Sequence, residues 1–87
     1  MNQDKLDDET RAVLQRVLDI YILNLGPDAE NVGKANNDLG IFHEKRGEFV
    51  QAKRFFKEAL RIYTKVHGPE HLNTVTAKKN LLIVSAI

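Results

Sequence analysis

The chain contains no cysteine and no tryptophan, a single methionine, a single serine and two prolines in 87 residues. Without cysteine there is no disulfide, no thiolate zinc site and no thiol nucleophile, and a small secreted scaffold stapled by disulfides is excluded with them. An excess of either charge is also missing. Thirteen Lys and Arg against twelve Asp and Glu leave a formal net charge of +1. Nucleic-acid binders concentrate basic residues, so neither DNA nor RNA is expected as a partner. Long hydrophobic runs are absent as well: the stretch 81–84 is far short of the roughly 20 apolar residues that cross a bilayer, and no membrane association is expected. Residues 1–9 are polar and acid-rich, with no basic segment leading into an apolar one, which is not the pattern of a secretory signal or a transit peptide. The expectation is a cytoplasmic protein of one domain, small enough to bury only about 60–65% of its unfolded surface.

What the chain does have is a repeat. The segment 18–41 and the segment 60–83 match at an offset of 42 residues. Leu18/Leu60, Ile20/Ile62, Tyr21/Tyr63, Gly26/Gly68, Pro27/Pro69, Asn31/Asn73, Ala35/Ala77, Leu39/Leu81 and Ile41/Ile83 are identical pairs. A period in the range of about 20–50 residues means stacked supersecondary units, each burying its apolar face against the next. Gly26-Pro27 and Gly68-Pro69 end one helix and begin a connection, because Gly accepts a positive φ and Pro cannot extend the hydrogen-bond ladder. Asn31 and Asn73 then fit helix N-caps, and Gly47 fits the residue just past a helix end. Phe49, Ala52, Phe56, Ala59, Leu60, Tyr63 and Val66 recur at spacings of three and four, the stripe of an amphipathic helix. The pattern predicts four helices, at about 7–25, 30–45, 48–67 and 72–86, with short connections that make neighbours antiparallel.

Residues 36–60 resemble a tetratricopeptide repeat. In that family's spacing a large residue is followed by Leu-Gly, an aromatic, a turn Gly, an aromatic, Ala, Phe and Ala. Here these places hold Asn36, Leu39-Gly40, His43, Gly47, Phe49, Ala52, Phe56 and Ala59. The physical logic is that Gly40, Ala52 and Ala59 are small where helix backbones approach, while Phe49 and Phe56 fill the space between turns. The 42-residue period, with L-G-P-D at 25–28 and H-G-P-E at 67–70, is similar to the kinesin-light-chain type of this repeat. Asn36 stands where a bulky apolar residue is usual, His43 where an aromatic is usual, and Leu82 where a small one is. The resemblance implies an all-α fold in which antiparallel helix-turn-helix units stack as a short right-handed α-solenoid of about four helices. A single domain would span residues 1–87, with 7–25 the second helix of a partial unit, 30–67 a full helical pair and 72–86 the first helix of a following unit.

The same resemblance implies a non-catalytic module that binds a protein or peptide, an adaptor or scaffold. The first helix of each unit lines a concave groove, which assigns Lys34, Asn37, Ile41 and Glu44 to that face in the full unit. Thr76, Lys79 and Ile83 take the equivalent places in the last helix. Lys34 and Lys79 supply positive charge and Asn37 an amide, a set suited to an acidic peptide. The alternative is a structural solenoid segment that spaces domains or self-associates, since residues 81–87 present an apolar strip on the final helix. No cofactor is implied. His67 and His71 are four apart, but Gly68-Pro69 between them puts them on either side of a loop, and no third metal ligand is well spaced. No nucleophile–base pair and no phosphate-cradling Gly-rich loop is present, and Ser85 has no evident base.

Overall fold

The computed structural model describes residues 3–87, with side chains from Asp7 onward; Met1 and Asn2 of the polar amino terminus lie outside the described residues. Four helices follow one another: α1, Gln3–Leu25; α2, Glu30–Lys45; α3, Phe49–His67; and α4, Leu72–Ser85. There is no strand among the described residues. α1 starts at Gln3, ahead of the expected residue 7.

Each helix packs chiefly on its neighbours in sequence, α1 on α2, α2 on α3 and α3 on α4. The result is a zigzag of two layers with extents of 44 × 34 × 17 Å. α2 and α4 run side by side in one layer, joined where Asn80 Nδ2 donates to Asn37 Oδ1 at 3.2 Å. The chain is thus an all-α helical-repeat solenoid.

The core follows the repeated pattern. Leu18, Val32, Ala35, Leu39 and Ile62 form one buried cluster, Ala52, Phe56 and Val84 a second, and Ala59, Tyr63 and Ala77 a third. α2 and α3 approach closely at Gly40: a Cβ built there would lie 2.5 Å from Phe56 Cε1. Carbon atoms pack best at about 3.5–4.0 Å, so only a hydrogen fits. The turns before α2 and α4 pass through Gly26 and Gly68 at φ 89° and 86°. With ψ at 167°, Gly68 is not in the left-handed helical well but in the extended positive-φ region that essentially only glycine enters.

The expected caps are shifted. Ala29 and His71, not Asn31 and Asn73, occupy the extended N-cap positions of α2 and α4. Each helix starts one residue before its Asn, which places Asn31 and Asn73 inside the first turn. At α4 the cap is an imidazole: His71 Nδ1 accepts a hydrogen bond from the Asn73 backbone N–H at 3.1 Å. Ala29 has no side-chain cap to offer.

Candidate functional site

The layer holding α2 and α4 carries all the residues assigned to the groove. Their surroundings differ. Lys34 is exposed, and its Nζ donates to Asp38 Oδ2 one turn further on, at 3.3 Å. An exposed pair four residues apart contributes about 0.3–0.5 kcal/mol, too weak to hold Lys34 against a competing carboxylate. Asn37 is half-buried and gives its amide oxygen to Asn80. Its amide N–H groups are left for an outside acceptor such as a peptide carbonyl. Ile41 turns inward and packs against the cluster of Ala52, Phe56 and Val84, and Glu44 is half-buried.

On α4, Thr76 and Lys79 are exposed, and Ile83 is nearly half exposed. α4 contains Lys78 and Lys79 and no acidic residue, and neither lysine has a carboxylate partner among the described residues. Lys79 is therefore the uncompensated cation of this face, beside the Asn37–Asn80 pair and the apolar surface of Ile83.

At the end of the groove a cleft of about 190 Å³ is lined by Glu30, Asn31, Lys34, Tyr63 and Asn73. Tyr63 is buried, and burial pushes its hydroxyl above its ordinary range. His67 Nε2 donates to Glu30 Oε2 at 2.9 Å. His67 is the last residue of α3 and His71 caps α4, so the two do flank a loop. The turn nevertheless folds them together, and their rings stack with centroids 4.0 Å apart. His71 Nδ1 accepting from Asn73 and His67 Nε2 donating to Glu30 commit one nitrogen of each ring to holding the turn. No group of three or more His, Asp or Glu able to hold a metal ion exists among the described residues.

Two polar residues noted in the sequence as departures serve structure on the opposite side of α2. Asn36 is buried and donates from Nδ2 to Val32 O at 2.8 Å, bonding back one turn along its own helix. His43 takes the place of an aromatic by acting as one: its ring stacks on Phe55 at 5.4 Å and meets Phe42 edge-on at 5.2 Å. Its Nδ1 donates to Glu48 Oε1 at 2.8 Å. Arg46 bonds the same carboxylate at 3.2 Å and reaches Asp7 of α1 at 2.9 Å. His43, then Arg46, hold the Glu48 carboxyl below its usual range. That linkage fastens three helices at one end.

No described helix is long and apolar enough to cross a membrane. A family model described as tetratricopeptide repeat matches residues 2–65 and again residues 31–84. No curated protein matches the chain.

Proposed function

The chain belongs to the tetratricopeptide repeat family, and from that premise we propose that it is an adaptor of the kinesin-light-chain type that holds an acidic peptide against the face shared by α2 and α4. Repeats of this family generally mediate protein–protein contacts and are generally not catalytic. The observation that carries the acidic preference is the charge of α4: two lysines, no carboxylate, and no ion-pair partner for Lys79 among the described residues. Asn37 offers its amide to the peptide backbone, Ile83 gives an apolar floor, and Lys34 exchanges Asp38 for a ligand carboxylate.

Fluorescence anisotropy with labelled acidic peptides, compared with basic and neutral ones, tests this. Each exposed pair gives up to about 1 kcal/mol. Reversing two charges in Lys34→Glu/Lys79→Glu therefore weakens binding by roughly tenfold or more, and added salt weakens the parent in the same direction. Equal binding by the parent and the double variant would remove the groove from consideration.

A further inference from the structure

Two helix faces have no neighbour among the described residues, one on α1 and one on α4. On α1 the face is formed by Val13, Val17 and Ile20, and on α4 by Val75 and Leu82; all five are 37–60% exposed. The contact between α2 and α3 shows what such faces do. There Gly33 meets Ile62 and Tyr63, Gly40 meets Phe56, and His43 stacks on Phe55. The 42-residue period carries α2 onto α4 and relates α1 to α3. Applying it to each pair puts Val75 opposite Ile20 and Tyr21, Leu82 opposite Leu14, and Ser85 opposite Val13.

The sizes at two of these places select the occupant. At the third, Val75 stands in place of Gly33 opposite Ile20 and Tyr21, the same residue types that Gly33 meets in α3. It favours neither helix and holds the two backbones further apart than α2 and α3 are. A helix built like α3 cannot cover α4. A mere Cβ at Gly40 would already sit 2.5 Å from the Phe56 ring, and α4 has a whole leucine at that place. α1 carries Leu14 where α3 carries Phe56, which withdraws bulk where Leu82 adds it. At the other end Ser85 and Val13 replace the larger His43 and Phe55. Charge points the same way. From residue 7 onward α1 holds Asp7, Asp8, Glu9 and Asp19 against Arg11 and Arg16, a net charge of −2, whereas α4 holds only Lys78 and Lys79, +2. Two α4 faces would set like charges together, and an α4 face on an α1 face sets unlike ones.

We propose that the α4 face of one molecule docks on the α1 face of a second copy, in the antiparallel register that α2 and α3 use within the chain. The contact joins two different surfaces, so it leaves one of each open and continues rather than closing at a dimer. It centres on Val75 and Leu82, adjoins the groove residues Lys79 and Ile83, and stands whether or not that groove binds a peptide.

Light scattering and sedimentation velocity over a wide concentration range test it with two exposed-site variants. Leu82→Glu blocks the α4 face and leaves α1 intact, while Val17→Glu does the reverse. The parent should gain mass with concentration past the dimer, and each variant alone should stay monomeric, its self-affinity at least tenfold weaker. An equal mixture of the two variants should form a dimer and nothing larger. That rescue also shows both variants to be folded, and far-UV circular dichroism gives an independent check. A parent that is monomeric at every concentration overturns the proposal. So does a Val17→Glu protein that associates like the parent, because that result assigns the contact to α4 on α4.

Discussion

Replacing Gly40 by alanine sets two effects of opposite sign against each other. In a helix interior alanine is favoured over glycine by about 0.8–1.0 kcal/mol, and by that measure the variant gains stability. Packing opposes it. The new Cβ would lie 2.5, 2.6 and 2.9 Å from three atoms of the Phe56 ring, so the ring must retreat by about 1 Å to reach ordinary contact. Phe56 is fully buried between Ala52 and Val84 and has nowhere to retreat except by pushing α3 away from α2. Overpacking of this kind costs about 1–3 kcal/mol, and three simultaneous overlaps put Gly40 near the upper end. The net expectation is a loss of about 2 kcal/mol, or roughly 10 °C in Tm for a domain of this size. Urea unfolding followed by circular dichroism measures it. Phe56→Leu provides the second arm of a double-mutant cycle. Alone it costs about 1–2 kcal/mol as a large-to-small change. Combined with Gly40→Ala it removes the clash while the propensity gain remains, so the double variant is more stable than the sum of the singles by about 3 kcal/mol. A Gly40→Ala protein more stable than the parent in both backgrounds would mean that helix propensity outweighs the contact, and the packing argument would be wrong.

Thr74 is buried, and its hydroxyl oxygen has no hydrogen-bond partner; the repeat places Val32 at the equivalent position, so Thr74→Val should stabilise the fold by about 1 kcal/mol, read as a higher urea midpoint with an unchanged slope. Asp28 is bonded by Lys65 and Arg61, and these two, in that order, hold its carboxyl below the ordinary range. A lowered folded-state value means that its contribution is present above the unfolded value of about 3.9 and disappears as pH falls through the folded one. The stability gap between the parent and Asp28→Asn should therefore be open at neutral pH and close on acidification, and a gap that persists in strong acid would show that the network contributes by packing alone.

Much of the fold was legible because a repeat states its own packing. Gly40, Ala52, Phe56 and Ala59 differ in size in an order that makes sense only where two helices approach, and the structure buries Ala52, Phe56 and Ala59 completely and sets Gly40 against the Phe56 ring. The caps were less legible. Asn is a strong capping residue, but a one-residue shift in helix start moved Asn31 and Asn73 into the first turn, and His71 took over with a ring nitrogen that propensity scales do not credit. In the groove, the Lys34–Asp38 pair was available from its spacing of four. The Asn37–Asn80 bond was not, because it joins residues 43 apart through the lateral register of α2 and α4. Ile41 illustrates the same limit. The family resemblance put it with the groove residues, and only the packing of α2 against α3 and α4 decides that it lies against Ala52, Phe56 and Val84.

The reach of the groove connects the two proposals. Neighbouring packed helices are spaced about 8–10 Å apart, and an extended peptide advances about 3.3–3.6 Å per residue. The strip between α2 and α4 therefore engages only about three peptide residues directly. With one uncompensated lysine, one amide and one half-exposed isoleucine, it has few anchors of the kind that carry binding energy. Continuing the solenoid head to tail would place the α2 of a second copy after α4, adding another Lys34, Asn37 and Ile41 along the same line. A peptide long enough to cross both would favour the stacked form, because it binds that form more tightly than the single molecule. By linkage, association of the chains would strengthen peptide binding by the same factor. A peptide of about three residues would gain nothing from stacking, so peptide length is the variable that separates a groove complete in one molecule from a groove shared between two.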